Sequence, residues 1–371
     1  MEAPLLSAAL IVRNEEKFLP GCLDSLAGFA DEIILVDTGS SDGTRKIAED
    51  RGIALHSFPW THDFSAARNR ALDLARGQWI LYIDADERVR SGAASVRERL
   101  RDPSYIGFQV LLTPRTGATP YWIMRLWRSH SLIRFRGVIH ENIWPALTEF
   151  QAAFGGKIRN VPLELEHFGY EDDQSDKHRR NLPLLERSLK LDPERVFSWC
   201  HLAAIQLEMG NAETAVTSWR TAMAIVRRRV TSFPDDSLPW CGLIQFEITR
   251  DGEVEELLEE ALTRFPQDLQ FHWLKGRYLM GRQRFEDAIP CFERLARCGE
   301  TGVFSRHASY DLRILGVLAY ESLATSYLRL GEWSDALRYY DLALAREPGR
   351  MDLLAKRALA RAQAPNGKDA E

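Results

Sequence analysis

The sequence predicts an α/β domain, built on a mostly parallel sheet with helices on both faces, followed by an all-helical repeat domain. Three observations predict this. In the first 90 residues, short apolar runs alternate with stretches of helical spacing. Each main apolar run ends in a loop rich in carboxylates and small residues. From about residue 171 the strand signals cease and charged, helical periodicity takes over. Strand, helix, strand, helix in this rhythm gives parallel strands joined by right-handed crossovers.

Residues 5–12 are the first apolar run, and Arg13-Asn14-Glu15-Glu16 follows as its loop. Residues 17–27 place Phe18, Leu19, Cys22, Leu23 and Leu26 at helical spacing, with Gly28 as a C-cap. Residues 32–36 form a second strand ending in Asp37-Thr38-Gly39-Ser40-Ser41-Asp42-Gly43-Thr44, and a helix over 44–51 begins under an Asp42 or Thr44 cap. Residues 53–58 are a weaker third strand, and 64–75 a helix stopped by Gly77. Then Gln78-Trp79-Ile80-Leu81-Tyr82-Ile83 runs into Asp84-Ala85-Asp86-Glu87. An unbroken apolar run reads as a strand buried on both faces. Ligands of such sheets sit beyond the carboxyl ends of the strands. On an extended chain Asp84 and Asp86 leave on the same side. Their mutual repulsion is relieved by a hard divalent cation that also meets a phosphate. A lone Asp-x-Asp is also what a solvated turn looks like; Asp37 and Asp42 could be turn and cap residues, and Arg68 a solvated helix residue. Their convergence on one sheet edge favours a ligand site.

Composition narrows the classes. The 371 residues suit two domains, with 45% hydrophobic and 27% charged residues. A net charge of -5 gives no footing for nucleic acid or a membrane surface. Five scattered cysteines with no Cys-x-x-Cys pair argue against a disulfide framework or structural zinc and suit a reducing cytoplasm. No basic leader and no apolar run of membrane-spanning length is evident, so cytoplasmic residence and no membrane insertion are expected.

Four blocks taken in order carry a resemblance. They are Leu10-Ile11-Val12-Arg13-Asn14-Glu15-Glu16, Ile34 to Thr44, Asp63-Phe64-Ser65-Ala66-Ala67-Arg68-Asn69, and Trp79 to Glu87. Together they resemble the family 2 glycosyltransferases of the GT-A (Rossmann-like) fold. The resemblance implies inverting transfer of a sugar from a nucleotide-sugar donor, a UDP-sugar first of all, with Mg²⁺ or Mn²⁺. Carried onto this sequence, Asp37 would contact the base or ribose and Glu15 would shape the nucleotide pocket. Arg68 would lie near the diphosphate, and Asp84, Ala85 and Asp86 would form the Asp-x-Asp segment, with both aspartates on the metal. Thr38 stands where many members have a second acidic residue. The leaving diphosphate gains charge that a cation and an arginine stabilise, and inversion needs a base opposite the leaving group.

Residues 105–112 read as a strand and 113–120 as a turn-rich loop, with further strands at 125–128 and 133–137. Gly137-Val138-Ile139-His140-Glu141-Asn142 and Leu165-Glu166-His167-Phe168-Gly169-Tyr170 resemble the distal half of members that carry helical repeats. By that resemblance Glu141 is the base, and His167 or His140 completes the metal shell or touches the diphosphate. Structural hydrogen bonding is the other use of each histidine. Arg125, Arg128, Arg134 and Arg136 read partly as a solvated strand face. Trp122, Trp127 and Trp144 read as a sugar-stacking surface or as core.

Domain bounds follow: 1–170 for the transferase-like domain, 171–191 for a connecting helix, 192–363 for repeats, and 364–371 for a frayed tail. Trp199, Leu202, Ala203, Gly210, Ala215, Trp219 and Ala222 match the tetratricopeptide pattern, as do Tyr320, Leu323, Ala324, Tyr327, Gly331, Trp333, Ala336, Tyr340, Ala343 and Pro348. With Ala215, Val254, Ala288 and Ala336 as equivalents, the steps are 39, 34 and 48 residues, against a period of about 34. An insertion is therefore expected near 299–309, and 351–363 would cap the array. Such arrays bind a peptide or protein, or join two copies. The expected function is metal-dependent hexosyl transfer to a peptide or protein side chain. The alternatives are a lipopolysaccharide-core or cell-wall glucosyltransferase, and a tetratricopeptide scaffold carrying a dead transferase domain.

Overall fold

The structure, a computed structural model, describes residues 3–364 apart from 116, 170–174 and 231–232. The expected tail beyond 364, the start of the connecting helix and Tyr170 lie outside the described residues. The chain divides into two compact units. One comprises residues 1–116 and 120–205, the other 117–119 and 206–371.

The first unit is an eight-stranded sheet in the order β3-β2-β1-β4-β7-β6-β8-β5. Its strands are β1 Leu6–Val12, β2 Glu32–Asp37, β3 Leu55–Ser57, β4 Trp79–Tyr82, β5 Glu87–Ser91, β6 Tyr105–Pro114, β7 Tyr121–Arg128 and β8 Lys157–His167. The helices α1 Leu19–Leu26, α2 Thr44–Asp50, α3 Phe64–Leu74, α4 Ala93–Arg99 and α5 Trp144–Phe154 are followed by α6 Ser175–Leu191 and α7 Val196–Glu208. Strands β3, β2, β1 and β4 are parallel. β7 then pairs antiparallel with both β4 and β6, β8 runs parallel to β6, and β5 pairs antiparallel with β8, so the sheet is mixed overall.

The apolar strands bury both faces, as their unbroken runs require. Leu6, Ala8, Leu10 and Val12 of β1 join Leu35, Trp79 and Leu81 in a core covered by Leu19, Cys22, Leu23 and Leu26 of α1 and by Val96 of α4. On the other face Ala9, Ile34, Val36 and Ile80 meet Ala71 and Leu72 of α3 and Leu147 of α5. This period of two is the signature of a strand. Trp79 is fully buried, and its indole N–H donates to the Leu100 carbonyl at 2.7 Å.

Three elements depart from expectation. Residues 133–137 are not a strand; they form an irregular loop with a single bridge between Arg136 and Asn142. Asn69 holds that loop instead, donating to the Phe135 carbonyl at 3.0 Å and accepting the Phe135 N–H at 2.9 Å. β5 forms one edge of the sheet, and β8 lies between it and β6. β5 is mostly charged, as edge strands commonly are. β8 holds Pro162 and pairs through register shifts, yet Val161, Leu163 and Leu165 alternate into the core.

The second unit is helical: α8 Ala212–Arg228, α9 Leu238–Thr249, α10 Glu255–Arg264, α11 Leu269–Gly281, α12 Phe285–Thr301, α13 Val317–Leu330, α14 Trp333–Arg346 and α15 Met351–Gln363. Ala215, Ala288 and Ala336 each stand fourth in their helix and are fully buried, so paired helices approach closely there. Val254 does not share that place, because it caps α10 and Leu258 occupies the fourth position. The extra residues of the last step lie between Thr301 and Val317 and include a 3-10 turn at Leu312–Leu315. Among the described residues no helix is long and apolar enough to cross a membrane.

Candidate active site

The carboxyl ends of β1, β2 and β4 open onto a pocket of about 330 Å³. Its loops hold one another. The Asn14 N–H donates to Ser40 Oγ at 3.0 Å, the Glu15 N–H to Thr44 Oγ1 at 2.7 Å and the Glu16 N–H to Asp42 Oδ2 at 3.1 Å. In return Asn14 Oδ1 accepts the Ser41 N–H at 2.8 Å, and Glu16 Oε2 accepts the Gly43 N–H at 2.7 Å. Asn14 takes a left-handed backbone (φ 58°), a conformation in which asparagine is enriched. These loops thus supply their own donors and acceptors and fix the pocket's rim.

Asp37 ends β2 fully buried. It accepts the Ser40 N–H at 2.9 Å and pairs with Arg45 at 2.6 Å. Burial alone would raise its carboxyl, but Ser40 and Arg45 hold it below the usual range. Thr38, the next residue, lines the pocket; Asp37 stands behind it. Glu15 and Arg13 line the same pocket, as do Trp60 and Phe64, whose rings meet edge to face at 4.8 Å. Trp60 and Phe64 escape the sequence reading. Their flanking of Asp63, the α3 cap, is the only local signal for them.

Arg68, Asp84, Ala85, Asp86 and His167 line the pocket too and bring most of its charge. Asp63 caps α3 by accepting the Ala66 N–H at 2.9 Å, and α3 delivers Arg68 into the sheet edge. The guanidinium lies over Tyr82 at 4.1 Å, donates through Nη2 to Asp84 Oδ1 at 3.1 Å and through Nε to Glu141. Its Nη1 is buried with no protein partner among the described residues. A buried donor without an acceptor is costly, so a ligand oxygen is the natural complement.

Asp84 and Asp86 follow β4 in a turn rather than on extended chain, and they face different partners. Asp84 also receives Tyr82 Oη at 3.0 Å and Arg125 Nη2 at 3.3 Å. Burial opposes ionisation of Asp84, but Arg68 and Arg125 outweigh it and bring the carboxyl to about 2. Asp86 Oδ2 lies 3.2 Å from His167 Nε2. Pairing of β5 with β8 sets Glu87 opposite His167, and the Phe168 N–H donates to the Asp86 carbonyl at 2.9 Å. A Cβ at residue 169 would sit 1.9 Å from Asp86 Oδ2, so a larger residue there would push the Asp86 carboxylate from its present place beside His167. Burial lowers the His167 pKa, but the Asp86 carboxylate more than compensates and the net shift is upward.

Glu141 does not line the pocket. Its half-exposed loop holds it against Arg68, with the Glu141 side chain itself only 9% exposed. Ser65 Oγ donates to the Gly137 carbonyl at 2.7 Å, which ties this loop to α3. His140 turns away from the pocket to lie 4.3 Å from His201 and 4.8 Å from Phe197, so of the two histidines only His167 faces the pocket. Arg125 is not on a solvated face: it is 5% exposed. Trp127 is core, and neither Trp122 nor Trp144 lines the pocket.

Among the described residues no three His, Cys, Asp or Glu side chains form a complete metal cage. Asp86 and His167 do offer an oxygen and a nitrogen donor on the pocket wall. Mg²⁺ and Mn²⁺ accept such partial protein shells when water and phosphate oxygens supply the rest. The donor set therefore fits a cation that binds together with a phosphorylated ligand.

Residues 7–135 match the family model described as Glycosyl transferase family 2, and residues 255–302 and 322–371 match a tetratricopeptide repeat model. The first unit carries a family 2 glycosyltransferase domain. Its mixed sheet is GT-A-like, and tetratricopeptide repeats follow it. A TPR repeat-containing protein of Synechococcus elongatus is 35% identical over 218 residues, covering 57% of this chain and 54% of that protein. The SPbeta prophage-derived glycosyltransferase SunS of Bacillus subtilis is 29% identical over 203 residues, or 52% of this chain and 47% of SunS. The lipopolysaccharide core biosynthesis glycosyltransferase LpsC of Rhizobium meliloti is 32% identical over 179 residues, or 43% of this chain and 65% of LpsC. The chain thus spans about half to two thirds of the length of these relatives.

Proposed function

We propose that this chain is a metal-dependent, inverting glycosyltransferase that moves a hexose from a UDP-sugar to a peptide or protein side chain. The observation that carries the proposal is the lining of the pocket inside a family 2 domain, which gathers aromatic, polar and charged side chains around one cavity. Trp60, Phe64 and Thr38 contribute rings and a hydroxyl; Glu15, Arg68, Asp84, Asp86 and His167 contribute charge. A nucleoside suits the aromatic and polar groups, and a diphosphate suits the charged cluster around Arg68.

Glu15 and the Asp37-Thr38 segment would shape the nucleoside pocket, Asp37 acting through the loop it braces. Arg68 would donate its unpartnered Nη1–H to a diphosphate oxygen. Asp86 and His167, with Asp84 alongside, would hold Mg²⁺ or Mn²⁺. Such an ion, when bound, stabilises charge on the leaving diphosphate without moving a proton. Glu141 would take the proton of the acceptor hydroxyl or thiol as that atom attacks the anomeric carbon and the bond to the diphosphate breaks. The ion pair with Arg68 keeps Glu141 oriented until the donor competes for the guanidinium. The intact Arg68–Asp84–Glu141 constellation speaks against a dead transferase domain.

The repeats support a peptide or protein acceptor, because such arrays recognise polypeptide rather than perform chemistry. Similarity to LpsC supports a saccharide acceptor as the second reading. Incubation with UDP-[³H]glucose, MnCl₂ and either a peptide library or core oligosaccharides separates them. Label in peptide supports the first reading; label only in oligosaccharide replaces it with the second.

A further inference from the structure

Beneath the pocket lies a row of alternating charges that the proposed chemistry does not use in full. In spatial order it runs Glu87, Arg125, Asp84, Arg68, Glu141, and each guanidinium bridges two carboxylates. Only Arg68 and Asp84 of these five line the pocket. Glu87 and Arg125 are 1% and 5% exposed and belong to different strands, β5 and β7. Burying an ion pair is costly, and replacing one by apolar groups is often neutral for stability, so a fold has little energetic reason to keep such a pair for its own sake.

From this geometry we infer that Arg125, anchored by Glu87, is a positioning residue that fixes Asp84 and the turn carrying Asp86 for donor binding. The inference rests on the transferase reading above. Arg125 lies over the Tyr82 ring at 4.0 Å, on a ring that Arg68 also contacts, and reaches Asp84 Oδ2 at 3.3 Å and Glu87 Oε1 through one nitrogen. Glu87 uses its other oxygen to accept the Asp84 N–H at 3.0 Å, and its own N–H donates to the Asp84 carbonyl at 3.0 Å. Glu87 therefore closes the turn from Asp84 to Glu87 at both ends, and Arg125 locks Glu87 and the Asp84 side chain together. Without Arg125 the buried Glu87 carboxylate would face Asp84 with no cation of its own, and Asp84 would lose one of the two cations that orient it. A lysine would restore the charge but not the contact of the guanidinium with the Tyr82 ring.

The test compares Arg125→Met, Arg125→Lys and the double variant Glu87→Met/Arg125→Met. It reads Tm without ligand and UDP affinity in MnCl₂ by titration calorimetry. Arg125→Met is expected to lower Tm and to weaken UDP binding at least tenfold, with Arg125→Lys between it and the wild type. The double variant replaces the buried pair by apolar groups, so Tm returns towards the wild-type value while UDP affinity stays at least tenfold weak. Recovery of both Tm and affinity in the double variant would reduce the pair to a structural role and overturn the inference, as would full UDP affinity in Arg125→Met. A wild-type chain that binds UDP in neither MnCl₂ nor MgCl₂ would instead strike the UDP reading itself, before any variant is compared.

Discussion

The two aspartates after β4 stand one residue apart in a turn and face different surroundings. Asp84 lies between Arg68 and Arg125, which keep it ionised to about pH 2, whereas Asp86 leans on His167. Substitution should separate them. Asp86→Ala removes an acidic donor from the pocket wall, and metal-dependent donor turnover should fall by at least a hundredfold while Tm changes by only a few degrees. A variant with unchanged turnover would remove Asp86 from the chemistry. His140 supplies a residue-scale prediction of another kind. Burial, His201 and Arg195 lower its pKa from 6.5 to about 3. Between those values the unfolded chain binds a proton that the folded chain does not, so stability falls as pH drops below 6.5. The loss is at most about 1.4 kcal/mol per pH unit. Urea melts of wild type and His140→Asn should therefore converge by about 1.4 kcal/mol between pH 7.5 and 5.5; parallel melts would contradict the neutral, buried histidine. At this scale the sequence made Glu15, Arg68, Asp84, Asp86 and His167 legible, because their types and spacing are local. It left Trp60 and the burial of Arg125 hidden, because β7 is covered on both faces and an arginine in an alternating strand reads as exposed.

Single elements show why some parts of the fold were readable. β1, β2 and β4 are buried on both sides and announce themselves as apolar runs. β5 and β8 hold charged residues and Pro162 and earn their places only through each other and through β6. The loop over 133–142 could not be read at all, since Asn69, Ser65 and Arg195 hold it from outside its own sequence. α3 is the element on which the site leans most: it carries Arg68 and anchors that loop. Asp63→Ala removes its cap and should lower stability by about 1 kcal/mol in urea melts. Asn69→Ala frees both hydrogen-bonding groups of Phe135; it should lower donor turnover through Glu141 more than it raises the Kd for UDP. Equal effects on both would mean that Asn69 serves the pocket as a whole.

For the whole molecule, the first compact unit runs to Ile205. Val138 and Ile139 share a core with Leu184, Leu185 and Ile205, and Arg195 donates to the His140 carbonyl. A chain ended after Leu191 loses Arg195 and Ile205 and should be poorly folded. One ended after Ile205 should fold and bind UDP, yet lose transfer to a peptide acceptor. Equal solubility and UDP binding of the two truncations would contradict this reading of the unit. The claim that organises all three scales is that the pocket binds a nucleotide-sugar through a cation held beside Asp86. Its most direct measurement is hydrolysis of UDP-, GDP-, ADP- and dTDP-sugars by the full chain and by Asp86→Ala, with MnCl₂, MgCl₂ or EDTA. The account predicts slow release of UDP by the wild type that needs Mn²⁺ or Mg²⁺ and disappears in the variant. Hydrolysis that survives EDTA and Asp86→Ala alike, or no turnover of any donor, would contradict it.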